Sequence, residues 1–259
     1  MMLGTLYNGM SGLSAHMQKL DVTGNNIANI NTTGYKKQAV SFSDLLRQRM
    51  ATRGLPVLEN GTVKPSLGSG TKVSAATRLF EQGLLVSTGR DLDLAIEGNG
   101  FFRLSREDGS VFYTRDGSFH TDANGRIVNS QGYLLLDAEL PENFSDLSVD
   151  DQGNVACLDD TGTVIEIGQI EITVFSNPAG LKEAGENLFL ATEFSGEPVT
   201  TTSGEENAGI VRQSYLENSN IDLTLEIQFM IEAQRAFELN ARSVTTADQL
   251  WSVTNNLQK

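Results

Sequence analysis

The stretch "DLTLEIQFMIEAQRAFELNARSVTTADQLW", residues 222–251, sets Leu223, Met230, Phe237, Val244 and Trp251 at every seventh position. Ile227, Ala233, Ala241, Ala247 and Leu250 widen that line into a stripe. Apolar recurrence at this period predicts an amphipathic helix. Just upstream, "SNID" places Ser219 three residues before Asp222, the pattern of a capping box, so the helix is expected to start near there. Glu238 and Arg242, and Glu232 and Arg235, form charge pairs at helical spacing on the polar side. A helix from 220 to 257 would be about 57 Å long at its rise per residue. One small globule cannot cover that length, and the stripe calls for a partner.

The other end of the chain offers one. Leu3, Leu6, Met10, Leu13, Met17 and Leu20 alternate three and four apart, as in a coiled-coil seam. Gly24 and Ile27 carry the register into "DVTGNNIANINTTGYKK", residues 21–37. Gly4, Gly9, Gly12 and Gly24 act against a helix, each by about 1 kcal/mol relative to alanine. A lone helix with these defects is close to unfolded in water. The asparagine cluster is read as the helix end: the amides of Asn25, Asn26, Asn29 and Asn31 would satisfy helix-end groups and fix register between copies, and Gly34 would permit the turn that follows.

Between the ends the pattern becomes β. "DLDLAIEG" alternates, and "FFRLSREDGSVFYTRDGSFHTDANGRIVNSQGYLLLD" reads as short strands separated by Asp-Gly, Asn-Gly and Gln-Gly turns. The expected fold is therefore α+β: long N- and C-terminal helices paired as a coiled-coil-like domain, 1–35 with 216–259, carrying an inserted antiparallel β domain, 73–195. Residues 36–72 and 196–215 are expected connectors, with 47–70 an extended segment.

Charge and composition exclude several functions. The 259 residues have a formal charge of −14 and a single cysteine, so no intrachain disulfide can form. Residues 1–50 carry five basic and two acidic groups, 213–259 three basic and six acidic, and the middle eleven basic and twenty-five acidic. A strongly acidic middle is a poor partner for nucleic acid or an anionic membrane. No apolar run approaches the roughly 18 residues of a membrane span, and the segment before Lys19 has no basic residue, which argues against a secretory signal. The acid pairs Asp91/Asp93, Asp150/Asp151 and Asp159/Asp160 fail calcium-loop spacing and suit hairpin turns instead. "SGTK" at 69–72 lacks the companion motifs of a serine hydrolase, and "GSGTKV" is not a phosphate loop. His16 and His120 are the only histidines and have no adjacent nucleophile, so a catalytic triad has no basis, and the lone cysteine argues against a cysteine-based metal site. Cys157 reads as a small apolar filler. The expectation is a non-enzymatic protein without a cofactor.

Two long stretches carry a resemblance. "SGLSAHMQKLDVTGNNIANINTTGYKKQAVSFSDLL" (11–46) resembles the opening signature of the bacterial flagellar rod and hook family, and "GIVRQSYLENSNIDLTLEIQFMIEAQRAFELNARSVTTADQLW" (209–251) its closing one. "GTKVSAATRLFEQGLLVSTGRDLDLAIEGNGFFRL" and "YTRDGSFHTDANGRIVNSQGYLLL" are similar to the distal-rod branch of that family. The resemblance implies a structural subunit that stacks helically into a tubular drive shaft carrying torque from motor to hook, in the flagellar basal body spanning the cell envelope. Implied partners are further copies, proximal rod and hook subunits, P- and L-ring proteins in a Gram-negative host, and the type III export apparatus, for which Phe42 and Leu46 resemble a recognition pair on one helical face. The assembly surface would be Leu3, Leu6, Met10, Leu13, Met17, Leu20 and Ile27 with Leu223, Met230, Phe237, Val244 and Trp251. The rival readings are a proximal-rod subunit and a secreted β-domain binding module.

Overall fold

The computed structural model describes residues 2–45, 48–49, 66–141, 144–159, 163–205 and 207–256. The chain forms two compact units, one of Met1–Ala28, Gln38–Arg78 and Asp222–Lys259, the other of Asn29–Lys37 and Leu79–Ile221. The backbone therefore passes from one unit to the other four times.

The first unit is built on two helices, α1 (Met2–Ala28) and α2 (Leu223–Asn256). They run antiparallel: Gly9 lies beside Val244, Gly12 beside Asn240, the Lys19 ammonium 5.1 Å above the Phe229 ring, and Asn26 beside Glu226. A two-stranded ribbon, Gln38–Asp44 with Thr71–Arg78, packs against α1. It occupies part of what was expected to be connector. Its strands read "QAVSFSD" and "TKVSAATR", rich in the β-branched and hydroxyl residues that suit an exposed pleated surface. A bulge between Ser41 and Phe42 shifts the register once. The extended segment 47–70 falls mostly outside the described residues.

Among the described residues of the second unit, the regular elements are β-strands and one 3-10 turn, Pro178–Gly180. A nine-stranded sheet runs from Lys182–Gly185 through Leu188–Leu190, Val111–Thr114, Phe101–Ser105, Leu134–Glu139 and Arg126–Val128 to His120–Thr121. Glu171–Val174 joins it at Phe101–Phe102 and pairs on its other side with Val199–Thr202. A three-stranded sheet comprises Phe144–Val149, Asn154–Asp159 and Val164–Gln169. Two further pairs, Leu94–Glu97 with Ile210–Gln213 and Leu85–Ser87 with Tyr215–Glu217, bring the last residues before α2 back onto the β unit.

Alternation along Phe101–Ser105 sorts the core into two clusters. Phe102 and Leu104 join Leu94, Ile96, Phe119 and Ile172 in the larger one, which also takes Cys157 as a small filler. Phe101 faces the other way and packs with Tyr113, Phe175 and Phe189, its ring edge-on to Phe175 at 5.7 Å. The acidic turn residues serve the backbone: Asp122 accepts the N–H groups of Asn124 and Arg126, and Asp150 that of Gln152.

Candidate functional site

On α1 the face turned to α2 is made of small residues. Gly9, Gly12, Ala15, Thr23 and Asn26 are its buried positions. On α2 the buried line is Glu226, Ala233 and Ala247, with half-buried Asn240 completing a seven-residue repeat. Contact is close: a Cβ added at Gly9 would stand 2.6 Å from Val244 Cγ2, and one at Gly12 2.9 Å from Asn240 Nδ2. Two of the glycines read as helix defects therefore permit the helices to approach. Gly24 meets nothing within 4 Å.

The large apolar residues expected at the seam lie on another side of α1, about a third of a turn away at 100° per residue. Met10 and Met17 are 63% and 54% exposed, while Leu6, Leu13, Leu20 and Ile27 are half-buried. The side chain of Leu3 lies outside the described residues. On α2, Met230, Phe237 and Val244 flank the contact line half-buried, whereas Leu223 and Trp251 are exposed. Exposed apolar residues that the sequence pattern did not single out are Tyr7 on α1 and Leu225, Ile231, Leu239 and Val253 on α2.

The asparagines separate into distinct roles. Asn26 is fully buried; its Nδ2 donates to the Gln38 carbonyl at 2.9 Å and to Glu226 Oε2 at 3.3 Å, and its Oδ1 accepts the Gln38 N–H at 3.0 Å. One side chain thus holds the helix end, the first strand and α2 together. The Asn29 carbonyl accepts the Thr32 N–H, closing the turn after α1. Asn25 and Asn31 are exposed. The capping expectation needs a correction: α2 begins at Leu223, and its cap is Asp222, whose Oδ1 accepts the N–H groups of Thr224 at 2.8 Å and Leu225 at 3.2 Å. Ser219 is buried upstream, its hydroxyl without a hydrogen-bond partner among the described residues.

A group of residues that sequence reasoning missed lies in the second unit, where the two signature stretches meet. Lys36 and Glu217, each 1% exposed, pair at 2.6 Å. Glu217 Oε1 also accepts the Gly83 N–H at 2.7 Å, Glu217 Oε2 faces Arg115 Nη1 at 3.4 Å, and the Glu217 carbonyl accepts the Gly34 N–H at 2.8 Å. Gly34 has φ +65, and a Cβ there would lie 2.5 Å from the Asp116 nitrogen. Alongside, Asn220 Oδ1 accepts the Lys37 N–H, and its amide donates to the Leu79 and Glu81 carbonyls. Burial, followed by the charge of Arg115, draws the Lys36 ammonium below its ordinary pKa, against the pull of Glu217. A lysine and a glutamate inside otherwise polar motifs give no burial signal, and nothing in "NTTGYKK" sets Lys36 apart from its neighbour Lys37.

Phe42 lies in the strand Gln38–Asp44, 41% exposed, its ring 5.9 Å from that of His16. It is therefore not part of a helical face in this fold, and Leu46 lies outside the described residues. Burial, then nearby Lys19, lowers the His16 pKa. Among the described residues no group of three His, Cys, Asp or Glu side chains is placed to hold a metal ion, and no helix is long and apolar enough to cross a membrane.

Among the described residues the arrangement thus combines a buried polar cluster around Glu217 with exposed apolar side chains on both helices. Three family models match it in chain order: the flagella basal body rod protein over residues 6–36, the flagellar hook protein FlgE/F/G D1 domain over 95–157, and the flagellar basal body rod FlgEFG protein C-terminal region over 212–257. The first and last overlap the two signature stretches. The chain is also similar over its whole length to the flagellar basal-body rod proteins FlgG of Borreliella burgdorferi, at 42% identity, and Bacillus subtilis, at 37%, with the whole of each relative covered. The FlgG protein of Agrobacterium fabrum is 40% identical over 95% of both chains. The chain belongs to the flagellar basal-body rod and hook family.

Proposed function

We propose that the chain is a structural subunit of the distal rod in the bacterial flagellar basal body, which assembles with further copies of itself into a helical tube that transmits torque. In this reading the terminal segments 1–35 and 216–259 pair in coiled-coil fashion and form the tube, with 73–195 as the outer β domain of the rod. Proximal rod and hook subunits would meet the ends of the stack, ring proteins would surround it, and the export apparatus would deliver each subunit.

The observation that carries the proposal is the exposure of Met10, Met17, Leu223, Ile227, Leu250 and Trp251 on helices that already contact each other through a different face. Full burial of one such side chain is worth roughly 1.5–3 kcal/mol. Neighbouring copies are the natural cover, because the two helices leave these residues to solvent within one chain. Electron microscopy of the purified full chain is expected to show tubes or fibres. Met10→Asp with Met17→Asp should leave the circular dichroism and thermal unfolding of the single chain close to wild type while abolishing tubes. Tubes that form equally well from that variant would overturn the assembly surface proposed.

A further inference from the structure

We infer that the β unit carries its own coupling element between copies: the Phe194 side chain of one chain seats in an aromatic cavity on the β unit of the next. This rests on the assembly reading above and specifies a contact outside the terminal helices.

Phe194 is 81% exposed, the most exposed large apolar side chain among the described residues. Its backbone is nonetheless tightly held. The Phe194 N–H donates to Thr192 Oγ1 at 3.2 Å, and its carbonyl accepts Asn177 Nδ2–H at 2.9 Å. The next residue, Ser195, is fully buried and bonds back to the Thr192 carbonyl through both its N–H and its Oγ. Gly180 passes so near that a Cβ on it would lie 2.5 Å from the Phe194 carbonyl. A single exposed aromatic is unremarkable by itself. One held in place before binding loses little freedom on docking, and that is the character of an interface anchor.

The same unit contains a cavity of about 200 Å³ lined by Phe80, Phe101, Val174, Phe175, Pro178 and Arg115. That is smaller than the roughly 300–1,000 Å³ of small-molecule sites and suits one large side chain. Its aromatic walls offer edge-to-face partners for an incoming ring. Arg115 brings a guanidinium to its lining: it faces Glu217 Oε2 at 3.4 Å and donates to the Ile96 and Gly98 carbonyls, while its buried Nε has no hydrogen-bond partner among the described residues. The guanidinium rests over the Phe101 ring, 5.4 Å from its centroid. Phe194 is flanked by exposed Glu193 and Glu197. An aromatic knob with two carboxylates close by in sequence complements an aromatic hole lined by a guanidinium, in shape and in sign.

The test uses full-length chains. Phe194→Ala should raise the critical concentration for tube formation at least tenfold, and Phe194→Tyr should restore most of the loss. One chain bearing Glu193→Cys, with Phe194 retained, mixed with another bearing Asn99→Cys in the cavity lining, should give a disulfide-linked pair in assembled material under mild oxidation. Buried Cys157 serves as the background, since wild type should give no link. If wild type forms tubes while Phe194→Ala forms them at the same concentration and the mixed chains do not cross-link, this inference is overturned and the assembly reading stands. If wild type forms no tubes at all, the assembly reading falls and takes this contact with it.

Discussion

Glu217 is one carboxylate serving two buried cations and a backbone N–H. Neutralising it removes a charge partner of both Lys36 and Arg115 at once, and breaking a buried pair in this way typically costs about 3–5 kcal/mol. Glu217→Gln is therefore expected to lower denaturant-measured stability by that order, whereas Lys36→Met should cost less, because Arg115 still pairs with the carboxylate. The pH dependence has a defined sign. The pKa of Lys36 is depressed in the folded chain, so the unfolded chain binds its proton more tightly. Stability should rise as pH climbs from the depressed value toward the ordinary lysine range, and this rise should be missing in Lys36→Met. Asn26 makes a comparable argument among neutral groups. Asn26→Ala leaves the Gln38 N–H and carbonyl short of a partner and should cost about 1–3 kcal/mol, while Asn31→Ala, at an exposed position, should stay within about 0.5 kcal/mol. The sequence presents these asparagines as equals. Their difference is decided by which one faces residue 38, a matter of chain path that asparagine count does not encode.

For the helices, small residues decide which faces meet. Gly9→Val would drive a branched side chain into Val244, and the expected outcome is a loss of helix pairing, read as a drop in thermal midpoint and in far-ultraviolet helix signal. Gly24→Ala meets open space and should stabilise α1 by about 1 kcal/mol. Opposite signs for two glycines in one helix are the measurement to make. The existence of both helices was legible from apolar periodicity, and so was the seven-residue repeat of α2. The interface was not. Leu223, Met230, Phe237, Val244 and Trp251 recur every seven residues, but so do Glu226, Ala233, Asn240 and Ala247, and the second series holds the most buried positions of α2, with Val244 of the first beside it against Gly9. Hydropathy weighs large side chains heavily and glycine or alanine hardly at all, so it finds the faces that want covering without saying whether the same chain covers them. Asp222 was named, yet Ser219 was given the cap, because Ser and Asp are both good caps and only the first helical N–H groups distinguish them.

Across the whole molecule, the β unit should stand by itself. A chain of residues 29–221, lacking both helices, retains Lys36, Arg115 and Glu217 together with both apolar clusters. It is expected to give a β-type circular dichroism spectrum, a cooperative thermal transition and no tubes. The turns of this region were readable from Asp, Asn and Gly, and the strands from alternation. The strand Gln38–Asp44 was not, since it lies in what was read as connector and none of its residues is fully buried.

The fourfold passage of the backbone between the two units has a mechanical meaning. Bodies joined by one peptide swivel about its single bonds, and a turning force on one is dissipated before it reaches the other. Here the junctions at 28/29, 37/38, 78/79 and 221/222 act in parallel. Any load passed between the units is therefore shared among four covalent connections instead of resting on one.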